Sequence, residues 1–187
     1  MNPIEAQASA PIPIPDSYWV RASHLAGRRL LAGAYPGSRD PGQSREKLAR
    51  MVEAGVNFFL DLTEEGEYGM APYAPLLEEV AGGLGRAVAY QRMPIEDMAA
   101  PEPEQMIRIL DALDGALAEG QVVYLHCYAG IGRTGTVVGC YLVRHGLHGS
   151  EALREIQRLR QGVPDGWVTS PETRVQREMV WNWPVGQ

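Results

Sequence analysis

Apolar residues along the chain fall into two kinds of stretch: short continuous runs, and longer stretches where they recur every three or four positions. The runs read as strands buried on both faces and the spaced stretches as helices packed along one side. The pattern predicts a first strand over Arg28–Tyr35, ended by Pro36-Gly37, and others over Val56–Leu62, Ala87–Ile95 and Gln121–Leu125. Between them, Ser44 is placed to cap a helix that runs to about Ala54, with Leu48, Met51 and Val52 on one side and Gly55 as its stop. Tyr73–Leu84 carries Leu76, Leu77, Val80 and Leu84 at helical spacing. After Pro101 and Pro103, Met106, Leu110, Leu113 and Leu117 mark another helix. Three more helices are predicted: one running through Thr136–Leu142 to Gly146, one capped by Ser150, and one opened by Ser170-Pro171-Glu172 and reaching about Trp181. Residues 1–15 alternate proline with small or apolar residues and read as an extended or disordered arm, with one domain over 16–187. Strands separated by helices imply an α/β domain with a twisted, mostly parallel sheet of about four to five strands, flanked by helices.

Composition narrows the class. At 187 residues the domain is large enough to bury a core without disulfides or metal. A net charge of −6 argues against a nucleic-acid or membrane-surface binder. Two cysteines fit a reducing compartment. No apolar run approaches the ~20 residues of a membrane span, and no basic region precedes an apolar one at the N-terminus. A soluble, monomeric cytoplasmic enzyme is expected. His145 and His148 lack further ligands at zinc spacing, so neither metal nor cofactor is expected.

The chemistry concentrates in ten residues, His126-Cys127-Tyr128-Ala129-Gly130-Ile131-Gly132-Arg133-Thr134-Gly135, which lie between a strand and a helix. Glycine permits the curvature that turns successive backbone N–H groups inward on one anion, and the following helix adds the positive end of its dipole. The amides of Tyr128, Ala129, Gly130, Ile131, Gly132 and Arg133 would line such a cradle. An environment built for a dianion also favours thiolate over thiol at Cys127, and the Arg133 guanidinium can grip two phosphate oxygens. Cleaving a phosphomonoester by this route also needs a proton for the leaving oxygen. Asp97 and its neighbour Glu96 follow a strand at the same sheet edge as the cradle, where loops meet over one pocket. Cys140, about two turns into the helix after the cradle, is too far along it to bridge Cys127 and reads as core.

His-Cys, five residues and Arg-Thr resemble the signature loop of the cysteine-dependent protein tyrosine phosphatases, most closely the compact dual-specificity type. The resemblance implies the same α/β fold after residue 16 and a phosphocysteine intermediate on Cys127. It favours Asp97 over Glu96 as general acid, because the family carries its acid in a similar Pro-Ile-x-Asp stretch. It gives His126 a loop-orienting role, where the residue alone reads as a core histidine. Thr134 can donate to the cysteine sulfur or cap the helix, and one hydroxyl can do both. The resemblance suggests that Gln176 helps place the hydrolytic water, against a solvent-facing helical glutamine. An acidic partner for Arg133 is expected among Glu64, Glu65 and Glu67. The cradle carries no lysine and the chain no Lys-Asn-Arg-Tyr segment, so the expected substrate is a protein or peptide bearing phosphotyrosine, with phosphoserine and phosphothreonine also open. Tyr68 and Tyr73 are candidates for the pocket wall, and Arg39 or Arg92 could hold extra phosphates. The alternatives are a phosphatase of inositol phosphates or another small metabolite, and a non-catalytic phosphate-binding module.

Overall fold

The computed structural model describes residues 11–25, 27 and 29–187. Five strands, β1 (Ser17–Val20), β2 (Arg29–Gly33), β3 (Phe58–Asp61), β4 (Ala89–Arg92) and β5 (Val122–His126), form one sheet in the order β1-β2-β5-β3-β4. All neighbours are parallel except the edge strand β1, which runs antiparallel to β2. The helices are α1 (Pro41–Glu53), α2 (Ala74–Gly83), α3 (Pro103–Ala118), α4 (Gly132–Arg144), α5 (Gly149–Leu159) and α6 (Arg174–Asn182).

Successive strand residues point to opposite faces, and each face has its own core. Leu30, Ala32, Leu60, Val123 and Leu125 pack against α3, α4, α5 and α6 through Leu110, Val137, Ala152 and Val180. Leu31, Phe59 and Tyr124, one position along, pack against α1 and α2 through Leu48, Met51 and Leu77. Burial on both faces accounts for strands that read as unbroken apolar runs. Helix α4 is buried from Gly132 to Val143, and Gly139 lets it approach α6, since a Cβ there would lie 2.6 Å from Val180.

Four helix ends and one strand depart from the expectations. Asp40, not Ser44, caps α1, accepting from the Gly42 N–H at 2.8 Å; Ser44 lies inside the helix. At α5 the cap is His148 rather than Ser150, and Glu151 accepts from the His148 N–H. Helix α6 starts three residues later than expected, capped by Thr173 in a reciprocal box with Gln176. Helix α4 is preceded by Ile131, so Thr134 is not its cap. Strand β1 was hidden behind the proline-rich stretch. Residues 1–10 of the expected arm lie outside the described residues, whereas Ile14 is buried in the α1–α2 core.

The topology brings four loops to one sheet edge. The segments after β2, β3, β4 and β5 all leave the carboxyl ends of parallel strands, where such sheets place their ligands.

Candidate active site

The segment after β5 curls through residues 127–131 into the first turn of α4. Gly130 takes φ +70°, and a Cβ there would come within 2.5 Å of the Gly33 backbone, so glycine is required both for curvature and for close approach. The loop is pinned from both sides. The Tyr35 N–H donates to Tyr128 O at 2.9 Å, and Ser170 Oγ donates to Ile131 O at 2.6 Å. Cys127 is 2% exposed at the floor of a cavity of about 190 Å³, which Asp97, Arg133, Gln176, Tyr68 and Tyr128 also line. A water occupies about 30 Å³ of liquid, so the space suits a phosphoryl group and its leaving oxygen.

Arg133 is 1% exposed and held from several directions. Its two terminal nitrogens donate to the two Glu67 oxygens at 2.6 Å each, a forked pair. Nη1 also donates to Ile95 O at 3.1 Å, and Nη2 lies 3.0 Å from Asp97 Oδ1. Burial opposes the charge, but the Glu67 hydrogen bonds and the facing carboxylates outweigh it and raise the pKa of Arg133. Among the three acids offered by the sequence, Glu67 is the partner. Its loop reaches the guanidinium through a left-handed Gly66 and Tyr68 (φ +52°).

Asp97 lies over the cradle as expected, with both oxygens engaged. Oδ1 faces Arg133, and Oδ2 accepts a short hydrogen bond from the Tyr68 hydroxyl. That bond, with the Asp97 charge, raises the pKa of Tyr68 and keeps the phenol a donor. Met98, next in the chain, is the other described non-glycine residue with positive φ, at +63°. Glu96 is absent from the cavity lining.

His126 is buried and neutral in function. Its Nδ1 lies 3.1 Å from the Cys127 carbonyl, which can only accept, so Nδ1 carries the proton. Nε2 then accepts from the Tyr73 hydroxyl at 2.7 Å. Burial lowers the His126 pKa, and Asp61, 3.9 Å away, opposes this only in part. Asp61 accepts from the Thr63 N–H and hydroxyl and from the Tyr90 hydroxyl. Burial works against its charge, but the hydrogen bonds from Thr63 and Tyr90 favour the carboxylate, and its pKa is lowered. The chain Tyr90–Asp61 and Tyr73–His126–Cys127 thus stiffens the start of the cradle. Sequence reasoning had no signal for Tyr73 here, because it meets His126 across 53 residues of chain.

One expectation needs correction, and one open alternative falls away. The Thr134 hydroxyl donates to Gly33 O at 3.2 Å, so its one proton fastens α4 to β2 and is not directed at the sulfur. Gln176 does not face solvent: it is 0% exposed and lines the Cys127 cavity. Its Oε1 accepts from the Thr173 N–H and its Nε2 donates to Ala99 O at 3.0 Å, while Thr173 Oγ1 donates to Met98 O. The start of α6 is thereby tied to the loop that carries Asp97. Arg92 turns away to Asp61, with Nε 3.5 Å from Oδ2. Cys140 is fully buried, and burial raises its thiol pKa.

A family model described as "Polymorphic toxin system, DSP-PTPase phosphatase" matches residues 36–147, which is more than half of the chain. The chain belongs to this family. The match includes the cradle, Glu67 and Asp97 of this DSP-PTPase phosphatase but ends before Gln176. A protein of Invertebrate iridescent virus 3 described as a tyrosine phosphatase, 067L, is 30% identical over 127 residues, 65% of this chain. The chain spans 45% of the viral protein's length. Among solved structures, Tk-PTP in its active form is 28% identical with a TM-score of 0.63, covering 81% of this chain and 88% of that one. Kinase associated phosphatase has a TM-score of 0.71 at 20% identity, covering 89% and 93%; this likeness is one of fold. The α/β fold expected from the sequence is the fold of these phosphatases. Among the described residues, no helix is long and apolar enough to cross a membrane.

Proposed function

We propose that the protein hydrolyses phosphotyrosine in proteins or peptides, with phosphoserine and phosphothreonine as further substrates, through a phosphocysteine intermediate. The observation that carries this reading is the convergence of Cys127, Arg133, Asp97 and Gln176 on one cavity from three separate segments of the chain. The Cys127 thiolate attacks phosphorus as the bond to the leaving oxygen breaks, and the Asp97 carboxyl gives that oxygen its proton. The cradle amides and the edge of Arg133 that Glu67 leaves free, with its unpartnered Nε, stabilise charge on the equatorial oxygens, aimed in advance by the pinning at both ends of the loop. A water positioned by Gln176 then attacks the phosphocysteine. Asp97 takes the water's proton, the sulfur–phosphorus bond breaks, and inorganic phosphate leaves with the thiolate restored. His126 and Thr134 act by holding the loop. Thiolate, guanidinium and carboxyl fill the three roles between them, so the proposed reaction calls for no metal or cofactor, and a cytoplasmic monomer suffices for it.

Substrate entry displaces Asp97 from Arg133, since Nη2, 3.0 Å from Asp97 Oδ1, is a donor that a bound phosphate oxygen would claim. A panel of para-nitrophenyl phosphate, phosphotyrosine peptide, phosphothreonine peptide and an inositol phosphate tests the substrate class. Turnover of the first two with loss in Cys127→Ser is expected; turnover of the inositol phosphate alone would assign the protein to small metabolites. A Cys127→Ser protein with native turnover would contradict the mechanism.

A further inference from the structure

A second cavity, of about 490 Å³, adjoins the catalytic one and is much the larger of the two. Tyr68 and Tyr128 line both, so these two rings form the partition between them. Their centroids lie 4.6 Å apart, and they are 61% and 46% exposed. Large apolar rings left this open at the mouth of a site are commonly contact surface for a ligand.

Beyond the partition the wall is made by the loop after β2 and the segment leading into α2. Tyr35, Met70, Pro72 and Leu76 supply its apolar and aromatic surface. The floor is firm, because the Tyr35 hydroxyl donates to Ala71 O and joins the two segments across the cavity. The same Tyr35 holds Tyr128 O through its N–H, so the second cavity and the cradle share an anchor. Arg39 stands at the rim, exposed, and makes no ion pair with a described carboxylate. It is the one cation among the lining residues.

We infer that this cavity is a specificity subsite for the residues flanking the phosphorylated one: an apolar or aromatic side chain lies against Tyr35, Met70 and Leu76, and an adjacent carboxylate meets Arg39. The inference rests on the protein-substrate reading above and sharpens it. A chain leaving the cradle over the tyrosine partition enters this space directly, and its extended backbone supplies a side chain about every 3.3 Å to fill it. The lining is unsuited to a ligand bearing several phosphates, which needs a cluster of cations where the cavity has one. Pockets of this make-up, mostly apolar with a few placed polar groups, select ligands by shape and one or two charges.

The test uses phosphotyrosine peptides with Phe or Ala beside the phosphotyrosine, on either side in turn, followed by Glu or Lys. On one side Phe is expected to raise kcat/KM about tenfold over Ala, the scale of partial burial of one ring. Glu is expected to exceed Lys severalfold, in a manner weakened by salt. Arg39→Glu, a surface change, should reverse the preference between Glu and Lys, and Leu76→Trp should abolish the preference for Phe by filling the space. Both variants should turn over para-nitrophenyl phosphate at the native rate. Phe and Ala peptides cleaved within twofold of one another on both sides, or a charge preference unmoved by Arg39→Glu, would overturn the subsite while leaving the phosphotyrosine reading intact. Turnover of para-nitrophenyl phosphate with none of any peptide would overturn the protein-substrate reading, and the subsite with it.

Discussion

Removing the Glu67 carboxylate separates two contributions to the site, the charge on Arg133 and its aim. Glu67 accepts both arms of the guanidinium at 2.6 Å in a setting closed to solvent. Hydrogen bonds to charged groups contribute about 1.5–3 kcal/mol each, so losing two would cost about 3–6 kcal/mol with no replacement. Replacement is at hand, because Asp97 Oδ1 already lies 3.0 Å from Nη2 and Ile95 O holds Nη1. The net cost of Glu67→Ala is therefore about 2–4 kcal/mol. For a domain of this size that lowers Tm by about 4–16 °C, at roughly 2–4 °C per kcal/mol. Catalysis should suffer more than stability implies. The freed guanidinium turns to Asp97, which ties up the proposed general acid and swings the remaining donors away from the phosphate. A loss in kcat/KM of about 10²–10³ is expected, comparable to removing one oxyanion donor. Glu67→Gln retains one acceptor and should fall between Ala and native in both measurements. Thermal denaturation with and without vanadate, alongside kcat/KM for para-nitrophenyl phosphate, reads both effects. A Glu67→Ala protein within about 1 °C of native Tm and threefold of native kcat/KM would refute the assignment of Glu67 as the group that aims Arg133.

Three further outcomes follow from the geometry. Tyr68→Phe removes the donor to Asp97 Oδ2, so turnover of a poor leaving group such as phenyl phosphate should fall about tenfold relative to para-nitrophenyl phosphate; an equal change for both, or a full extra effect in an Asp97→Asn background, would show that Tyr68 does not act through the acid. Gly130→Ala must place a Cβ 2.5 Å from the Gly33 backbone at φ +70°, costing about 1–2 kcal/mol in backbone strain alone, and oxyanion binding read by vanadate inhibition should weaken at least tenfold; unchanged inhibition would mean the loop tolerates the side chain. Burial lowers the His126 pKa in the folded protein below the ~6.5 of the unfolded chain, so the unfolded state binds more protons as pH falls through that value and stability should drop there. His126→Asn should flatten this slope in Tm against pH, and identical slopes in the two proteins would contradict the buried neutral ring.

What the sequence revealed follows from how local each signal is. The cradle is contiguous, and its residue types, glycine positions and strand–helix context all lie within ten residues, so nucleophile and arginine could be read directly. Asp97 could be placed near them because a parallel sheet sends strand-end loops to one edge, but its preference over Glu96 came from the family resemblance. Pairings across long loops carry no such pattern. Tyr73 with His126, Tyr68 with Asp97 and Thr134 with Gly33 are settled by three-dimensional packing of side chains whose types suit many other partners. The helix caps show a nearer miss. Thr173-x-x-Gln176 is a capping box in plain view, yet Ser170-Pro171-Glu172 presents a competing start three residues earlier, and Asp40 opens a helix whose first turn holds Gly42, a residue that more often marks a break. Strand β1 pairs only at the sheet edge and has four residues, too few for a period to declare itself beside the prolines before it.

The proposed reaction rests on Cys127 as the nucleophile at the floor of the cavity that Arg133 also lines. The direct measurement is the rate of modification by iodoacetamide at pH 7, with the modified residue located by mass spectrometry. Fast labelling at Cys127 alone is expected, in step with loss of activity and blocked by vanadate or inorganic phosphate, while buried Cys140 stays unlabelled. Labelling of Cys127 at the rate of a free cysteine, indifferent to either oxyanion, would contradict the proposed reaction.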